Sequence, residues 1–363
     1  MLVDGMNYTT IWIDDTNKEI VNVIDQRKIP FEFNILSLKS IDDYFFAIKE
    51  MVVRGAPLIG ITAAYSIYCA ALEAKKAAAG IETIHEKALY IKSARPTAVN
   101  LETAIDRQLD AIKDITNLDK IIGITFELAS KMRIEDIETN RSIGRYGTAL
   151  IEDIAKKKDT VNILTHCNAG WLATVDYGTA LAPVFEAHSR GIDIHVWVDE
   201  TRPRNQGAKL TAWELYHEKI KHTVIPDNTG GHLMRNKMVD IVIVGTDRTS
   251  RNGDVANKIG TYLKALAAHD NQIPFYVAAP SMSIDFNLDT RKQPIPIEQR
   301  NDNEVRYMNG LLNGNVHNFE VIPEVSPVAN FAFDVTPAGY VTGLITERGI
   351  CKASEEDILK LFC

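Results

Sequence analysis

Hydrophobic and polar positions follow one pattern in the first part of the chain, up to Lys158, and a different one after it. The first part opens with short runs in which apolar and polar residues alternate, around Ile11–Ile13 and Val21–Val23. This alternation predicts a β-hairpin over residues 7–26. Apolar residues then recur at helical spacing, which predicts helices over residues 40–49, 57–72, 101–112 and within 118–158. The pattern therefore predicts a small hairpin followed by a helical domain.

From about residue 160, short apolar runs alternate with helical stretches. The runs that predict strands are residues 161–165, 192–198, 222–225, 241–244, 273–278 and 341–345. The stretches that predict helices are residues 177–189, 208–220, 232–235, 257–266 and 355–362. Such a βαβ series indicates an α/β fold with a doubly wound parallel sheet and right-handed crossovers. We therefore expect two domains, residues 1–145 and residues 146–363.

Each of five predicted strands ends in a polar or reactive cluster. These clusters contain Cys167, Asp199, Asp227, Asp247 and Ser281. Carboxyl ends of parallel strands share one edge of a sheet, which is where ligands bind in open α/β folds. The alternative is that loops are polar in any protein, although a lone cysteine and an acid directly after buried strands fit that alternative less well.

Cations stand beside predicted helix starts. Arg54 precedes Gly55-Ala56-Pro57, and Arg95 precedes Pro96. Proline favours the first helical turn, and the free N–H groups of a helix start can hold a phosphate. Asn257 and Lys258 are predicted to open another helix, just after Asp247. The alternative is that these cations are ordinary surface charges beside turns.

Composition excludes several classes of partner. The chain of 363 residues carries a net charge of −8, which argues against nucleic acid as the main partner. Four cysteines without paired spacing predict reduced thiols, and nine histidines without a ligand motif give no indication of a metal. We expect a cytoplasmic protein, because the sequence shows neither a secretory signal nor an apolar run of membrane-spanning length.

The nucleotide-binding and hydrolase fingerprints GxGxxG, Walker A and GxSxG are absent. A cysteine, an aspartate and several cations remain. A thiol or carboxyl with a shifted pKa can exchange protons, and cations can hold an anionic group away from the reacting atoms. This combination suits proton movement on a phosphorylated small molecule. The alternative for Cys167 is a core thiol without chemistry.

Several segments between residues 50 and 300 resemble the methylthioribose-1-phosphate isomerase family of methionine salvage. That family belongs to the superfamily that includes regulatory subunits of translation initiation factor 2B. The matching segments are Arg54-Gly55-Ala56-Pro57, Arg95-Pro96-Thr97-Ala98-Val99-Asn100, His166-Cys167-Asn168-Ala169-Gly170, Asp199-Glu200-Thr201-Arg202-Pro203, Gln206-Gly207-Ala208, Asp227-Asn228, Gly245-Thr246-Asp247-Arg248, the run from Asn252 to Tyr262, and Ile295-Pro296-Ile297-Glu298.

The resemblance implies a helical N-terminal domain, a Rossmann-like C-terminal domain and a homodimer without cofactor or metal. It assigns the chemistry to Cys167 and Asp247. It assigns substrate contacts to Arg54, Gly55, Ala56, Arg95, Gln206, Asn257 and Lys258. The implied reaction converts methylthioribose 1-phosphate to methylthioribulose 1-phosphate. Trp171 and the segment from Asp227 to His232 depart from the usual family pattern, so related substrates, 5-deoxyribose 1-phosphate and ribose 1,5-bisphosphate, stay open.

We hypothesise that a protonated Asp247 assists opening of the sugar ring at the ring oxygen. Cys167 then moves a proton between C2 and C1 or stabilises a hydride shift between them. Two other functions stay open at this point, a regulatory subunit of the initiation-factor type without catalysis and a sensor that binds sugar phosphates without turnover. The regulatory subunit would have no need of both Cys167 and Asp247.

Overall fold

The structure, a computed structural model, describes residues 1–95 and 98–362. It divides into two compact units. The first comprises Met1–Asn140 and Trp171–Gly178, and the second comprises Arg141–Gly170 and Thr179–Cys363. The domain boundary expected after residue 145 stays a prediction.

Two small antiparallel sheets open the first unit. Their strands are β1 (Leu2–Val3), β2 (Met6–Asn7), β3 (Ile11–Ile13), β4 (Val21–Ile24) and β5 (Ile35–Leu38). β1 pairs with β2, and β4 lies between β3 and β5. The predicted hairpin is confirmed as β3 and β4. β5 was not predicted, since its four residues pass from exposed to buried without a clear alternation.

Helices form the rest of the first unit. They are α1 (Ile41–Lys49), α2 (Ala56–Lys76), α3 (Ile81–Ala94), α4 (Val99–Ile112) and α5 (Leu118–Ala155), of which α5 continues into the second unit. Ser40 caps α1, because its hydroxyl accepts the N–H of Asp43 and the Asp43 carboxylate accepts the N–H of Ser40. α3 was not predicted, because the exposed side chains of Leu89 and Tyr90 obscure its apolar face.

α2 is the central helix of the first unit. By length and composition it could cross a membrane, but 83% of its most apolar window is buried inside the structure. Its side chains belong to one hydrophobic core with α1, α3, α4 and the β3–β5 sheet. α2 therefore has the surroundings of a core helix.

Asp136 is a buried carboxyl group in α5. Its Oδ2 accepts the N–H of Val175 at 2.7 Å and the side-chain amide of Asn140 at 3.1 Å. Burial raises the pKa of Asp136 to about 7. The carboxyl group therefore stays protonated in the folded protein at pH values where the unfolded chain has already lost the proton.

The Asp136→Asn variant should remove a pH dependence of stability. Between about pH 4 and pH 7 the folded wild type holds one proton more than the unfolded chain, so its free energy of unfolding falls as the pH rises, by about 4 kcal/mol in total. Asparagine keeps the acceptor for Val175 and does not ionise. Urea unfolding at a series of pH values measures the free energy of unfolding. It should fall with rising pH in the wild type and lack this fall in the variant. Parallel pH profiles for the two proteins would contradict this assignment.

The second unit contains a seven-stranded sheet, a four-stranded sheet and a hairpin. The strands are β6 (Val161–Thr165), β7 (Ile194–Asp199), β8 (His222–Ile225), β9 (Ile241–Val244), β10 (Arg248–Ser250), β11 (Val255–Lys258), β12 (Phe275–Ala278), β13 (Ile284–Asp285), β14 (Tyr307–Leu312), β15 (Asn315–Glu320), β16 (Phe333–Thr336), β17 (Gly343–Thr346) and β18 (Gly349–Cys351). The helices are α6 (Ala182–Ser189), α7 (Ala212–His217), α8 (Thr229–Arg235), α9 (Thr261–Asp270), α10 (Asn303–Arg306) and α11 (Glu355–Phe362).

The large sheet has the order β18-β17-β12-β9-β6-β7-β8. The strands from β17 to β8 are parallel, and β18 is an antiparallel edge. The predicted doubly wound sheet is confirmed. β6 has β7 on one side and β9 on the other, so the chain order reverses beside β6, and ligands bind at such a reversal in open α/β sheets.

The four-stranded sheet, with the order β13-β10-β11-β16, was not predicted. It corrects the prediction that Asn257 and Lys258 open a helix, because both residues end β11 and pair with Asp334 and Phe333 of β16. α9 begins only at Thr261.

Two other predicted helices are shorter than expected. The helix predicted from residue 177 begins at Ala182, since Tyr177 has a φ of 66°. The helix predicted over residues 208–220 consists of a π-helical turn, Gly207–Thr211, followed by α7. Lys219, which has a φ of 58°, lies beyond the end of α7.

Candidate active site

Cys167 follows β6 in a constrained backbone conformation. Its φ is 68°, in the left-handed region that a residue with a Cβ adopts at a cost of about 1–3 kcal/mol. Two hydrogen bonds hold it there: its N–H donates to Thr201 Oγ1 at 2.9 Å, and its carbonyl accepts the Thr211 hydroxyl at 2.8 Å. The loops that follow β6 and β7 are thereby tied together.

Gln206 lies against the Cys167 thiol. The distance from Cys167 Sγ to Gln206 Oε1 is 3.6 Å, and both residues are buried. The loop that carries Gln206 is anchored at Arg204, which pairs with Glu304 at 2.8 Å. Burial alone would raise the pKa of Glu304, but Arg300 and Arg204 hold it at about 2, so this anchor stays charged at neutral pH.

Asp247 follows β9, the neighbour of β6. Its N–H donates to the carbonyl of Ala256 at 3.0 Å, which joins it to β11. Gly245, two residues earlier, passes so close to the Cys167 loop that a Cβ on it would lie 2.7 Å from the Cβ of Ala169. The loops that carry Cys167 and Asp247 are therefore in contact.

Asn257 and Lys258 end β11 next to this contact. The Asn257 amide donates to Thr261 Oγ1 at 3.0 Å, and the Lys258 ammonium lies 4.7 Å from the centre of the Phe333 ring. Both residues are buried, and the pairing with β16 fixes the backbone that carries this amide and this cation.

A buried cluster of charged side chains adjoins Cys167. Among the described residues, His166, Asp199 and Asp227 hold ligand-type atoms within 4.8 Å of one another, a spacing that a metal ion could use. However, the Lys264 ammonium lies 3.1 Å from Asp199 Oδ2. The chain thus supplies its own cation at this place.

The other predicted contact residues belong to the first unit. Gly55 is the N-cap of α2, with a φ of 87°, and a Cβ on it would lie 2.3 Å from the carbonyl oxygen of Ala173. Glycine is therefore required directly after Arg54, which is buried, and before Ala56, the first residue of α2. Arg95 follows the last residue of α3. Pro96 and Thr97 of its motif lie outside the described residues.

The structure thus places Cys167 and Gln206 in contact and brings the loops of Cys167 and Asp247 together at the carboxyl edge of the large sheet. Asn257 and Lys258 lie on β11 of the four-stranded sheet, directly after Ala256, whose carbonyl accepts the Asp247 N–H. Asp199 and Asp227, the two other acids at strand ends, make structural contacts. Asp199 lies against the His166 ring, and Asp227 accepts the backbone N–H groups of Thr201 and Arg202. The N–H of Ser281 donates to the Glu347 carboxylate.

Sequence reasoning missed His166, Thr201 and Lys264 as functional candidates. His166 had one available signal, its place directly before Cys167. Thr201 lies in a segment that matches the family, but its bond to Cys167 could not be predicted, and Lys264 had no signal, because its partner Asp199 is remote in the sequence.

The chain resembles known proteins over nearly its whole length. A profile of the initiation factor 2 subunit family matches residues 52–353. The methylthioribose-1-phosphate isomerase of Desulfatibacillum aliphaticivorans is 52% identical over 364 residues, which cover 100% of this chain and 99% of that protein.

Two solved structures are similar to the chain over nearly its whole length. The crystal structure of 5-methylthioribose 1-phosphate isomerase from Pyrococcus horikoshii OT3 matches with a TM-score of 0.83 and 38% identity, over 98% of this chain and 96% of that chain. The A. fulgidus structure described as translation initiation factor eIF-2B, subunit delta, matches with a TM-score of 0.80 and 37% identity, over 98% and 99% of the two chains. The chain belongs to the initiation factor 2 subunit family, among the relatives named methylthioribose-1-phosphate isomerase.

Proposed function

We propose that this chain is an aldose–ketose isomerase that converts 5-methylthioribose 1-phosphate to 5-methylthioribulose 1-phosphate in methionine salvage. The observation that carries the proposal is the buried thiol of Cys167, held in a left-handed backbone beside the loop of Asp247. Relatives with about half of their residues identical carry the name of this enzyme. Strained backbone conformations often occur at active sites, and Cys167 lies at the switch point of the sheet, where ligands bind in open α/β folds.

The reaction moves hydrogen within the sugar. Asp247 gives a proton to the ring oxygen, and the bond between C1 and that oxygen breaks. The C2 hydroxyl loses its proton, which replaces the proton that Asp247 gave, and C2 becomes the ketone, while the hydrogen on C2 moves to C1. Cys167 carries that hydrogen as a proton or stabilises its direct transfer as hydride. No oxidant or reductant is consumed, so the reaction balances without a cofactor.

The resemblance to the family supplies the substrate contacts. They are proposed for Arg54, Gly55, Ala56, Arg95, Gln206, Asn257 and Lys258. In the second unit, Lys258 is buried, so water screens the positive charge of its ammonium group only weakly. Such a charge suits the binding of a phosphate. We also propose that the protein acts as a cytoplasmic homodimer.

The first experiment is an assay with three sugars. Purified protein is incubated with methylthioribose 1-phosphate, 5-deoxyribose 1-phosphate and ribose 1,5-bisphosphate, and ketose formation is followed. We expect turnover of the first to exceed that of the others. Turnover should be lost in Cys167→Ser and kept in Cys351→Ser, a cysteine in β18 at the edge of the same sheet.

Two outcomes would change the proposal. Preference for another sugar would keep the reaction type and change the substrate. Tight binding without turnover of any sugar would favour a sensor or a regulatory subunit. Repeating the assay in deuterium oxide separates the two hydrogen-transfer routes, because a proton carried by Cys167 exchanges with solvent and a hydride does not.

A further inference from the structure

His166 has hydrogen-bond acceptors at both of its ring nitrogens. Nδ1 lies 2.8 Å from Asp199 Oδ2, and Nε2 lies 2.8 Å from the carbonyl oxygen of Ile259. The ring is 1% exposed, so water does not replace either partner. A backbone carbonyl can only accept, and therefore Nε2 carries a proton.

Asp199 holds two side chains with one oxygen atom. Its Oδ2 lies 2.8 Å from His166 Nδ1 and 3.1 Å from the Lys264 ammonium. The imidazole ring and the lysine of α9 are therefore fixed to the same carboxyl group at the end of β7.

Charged groups from four other elements face this ring. Asp199 ends β7, Asp227 follows β8, Lys264 belongs to α9 and Asp334 belongs to β16. His166 Nδ1 lies 3.9 Å from Asp227 Oδ1, and Asp334 accepts the N–H groups of Gly260 and Tyr262. The ring therefore lies among three carboxyl groups and one ammonium group.

The cluster fixes the segments that carry the proposed site. His166 directly precedes Cys167, and its Nε2 holds Ile259, which directly follows Lys258. Asp227 accepts the N–H groups of Thr201 and Arg202, both at 2.8 Å, and Thr201 Oγ1 in turn binds the N–H of Cys167. Movement of the His166 ring would therefore move the backbone of Cys167 and of Lys258.

We propose that His166 is a positioning residue, whose hydrogen bonds to Asp199 and to the Ile259 carbonyl hold Cys167 and Lys258 in their working positions. This role deepens the proposed isomerase function and rests on it. His166 acts through its neighbours and is given no contact with the substrate.

The positioning role is tested by the reactivity of Cys167. Alkylation by iodoacetamide is followed at a series of pH values, with peptide mapping by mass spectrometry, in wild type, His166→Asn and the control His195→Asn. Cys167 is 8% exposed. We expect the released loop in His166→Asn to make it react faster, while Cys351, whose pKa burial raises to about 11, stays slow in all three proteins. An unchanged Cys167 alkylation profile in His166→Asn would overturn the positioning role.

Turnover gives the functional consequence. Displacing a reacting group by about 1 Å can cost 10²-fold in rate, so we expect a loss of about that size in His166→Asn and none in His195→Asn. The alkylation measurement needs no substrate. It therefore still tests the positioning role if the proposed isomerase function fails, and the failure of one can be told from the failure of the other.

Discussion

The Asp247→Asn variant should turn over methylthioribose 1-phosphate about 10²–10⁴-fold more slowly than wild type, the usual cost of losing a general acid. Asparagine has nearly the same shape and leaves the bond from the backbone N–H of residue 247 to Ala256 in place. It cannot give the ring oxygen a proton from a carboxyl group. Initial rates at saturating substrate measure the effect, and KM should change much less than kcat.

Asp240→Asn is the matched control. Asp240 precedes β9 and Asp247 follows it, so the two acids lie at opposite ends of one strand. Asp240 pairs with Lys158 and accepts the N–H of Asn162, which are structural contacts at the amino edge of the sheet. Turnover of this control should match wild type. Near-full activity in Asp247→Asn would remove Asp247 from the chemistry and leave Cys167 as the candidate.

Local patterns were sufficient to predict the large sheet and to place Cys167 and Asp247 at the ends of two of its strands. The choice of these two residues for the chemistry came from the family resemblance and stays a prediction. The run Ile241–Val244 is β-branched at every position, and all four residues are buried in the structure as a strand covered on both faces should be. Parallel strands bring their carboxyl ends to one edge, and this is why Cys167 and Asp247 could be placed together without knowledge of the strand order.

Pairing between remote segments could not be predicted in the same way. Asn257 and Lys258 form a strand because β16 pairs with them, and β16 begins at Phe333, far along the chain. Read alone, their segment resembles a helix start. The β14–β15 hairpin is a different case, since its turn, Asn313-Gly314, carries a recognised hairpin signal with both φ values positive, and that signal was overlooked.

Buried charges were the least predictable feature of the site. Lys264 stands between Leu263 and Ala265 in an ordinary helical pattern, where a lysine is usually exposed. In the structure Leu263 is 58% exposed and Lys264 is 3% exposed. The Asp199 carboxylate and the Asp227 carbonyl make this burial possible, and both come from other segments of the chain. The helical pattern around Lys264 therefore does not predict them.

The Gly207→Ala variant should destabilise the second unit by more than about 3 kcal/mol, beyond the range of most single substitutions. A Cβ on Gly207 would lie 1.7 Å from the carbonyl oxygen of Asp199, and a backbone oxygen cannot move aside as a flexible side chain could. The same carbonyl accepts the Thr201 hydroxyl, so its displacement also loosens Cys167. Urea unfolding followed by tryptophan fluorescence measures the loss.

Gly231→Ala provides the comparison within the same unit. Gly231 lies in α8, and a Cβ there would meet its nearest neighbour, the Cβ of Ala267, at an ordinary 3.7 Å. Alanine should be neutral at this position or stabilise the helix by about 0.5–1 kcal/mol. Gly207→Ala should also lose turnover in its folded fraction, because Gln206 is carried on the displaced backbone. Equal urea midpoints for the two variants would contradict this prediction. They would mean that the close approach of Gly207 to Asp199 does not hold the Gln206 loop against Cys167.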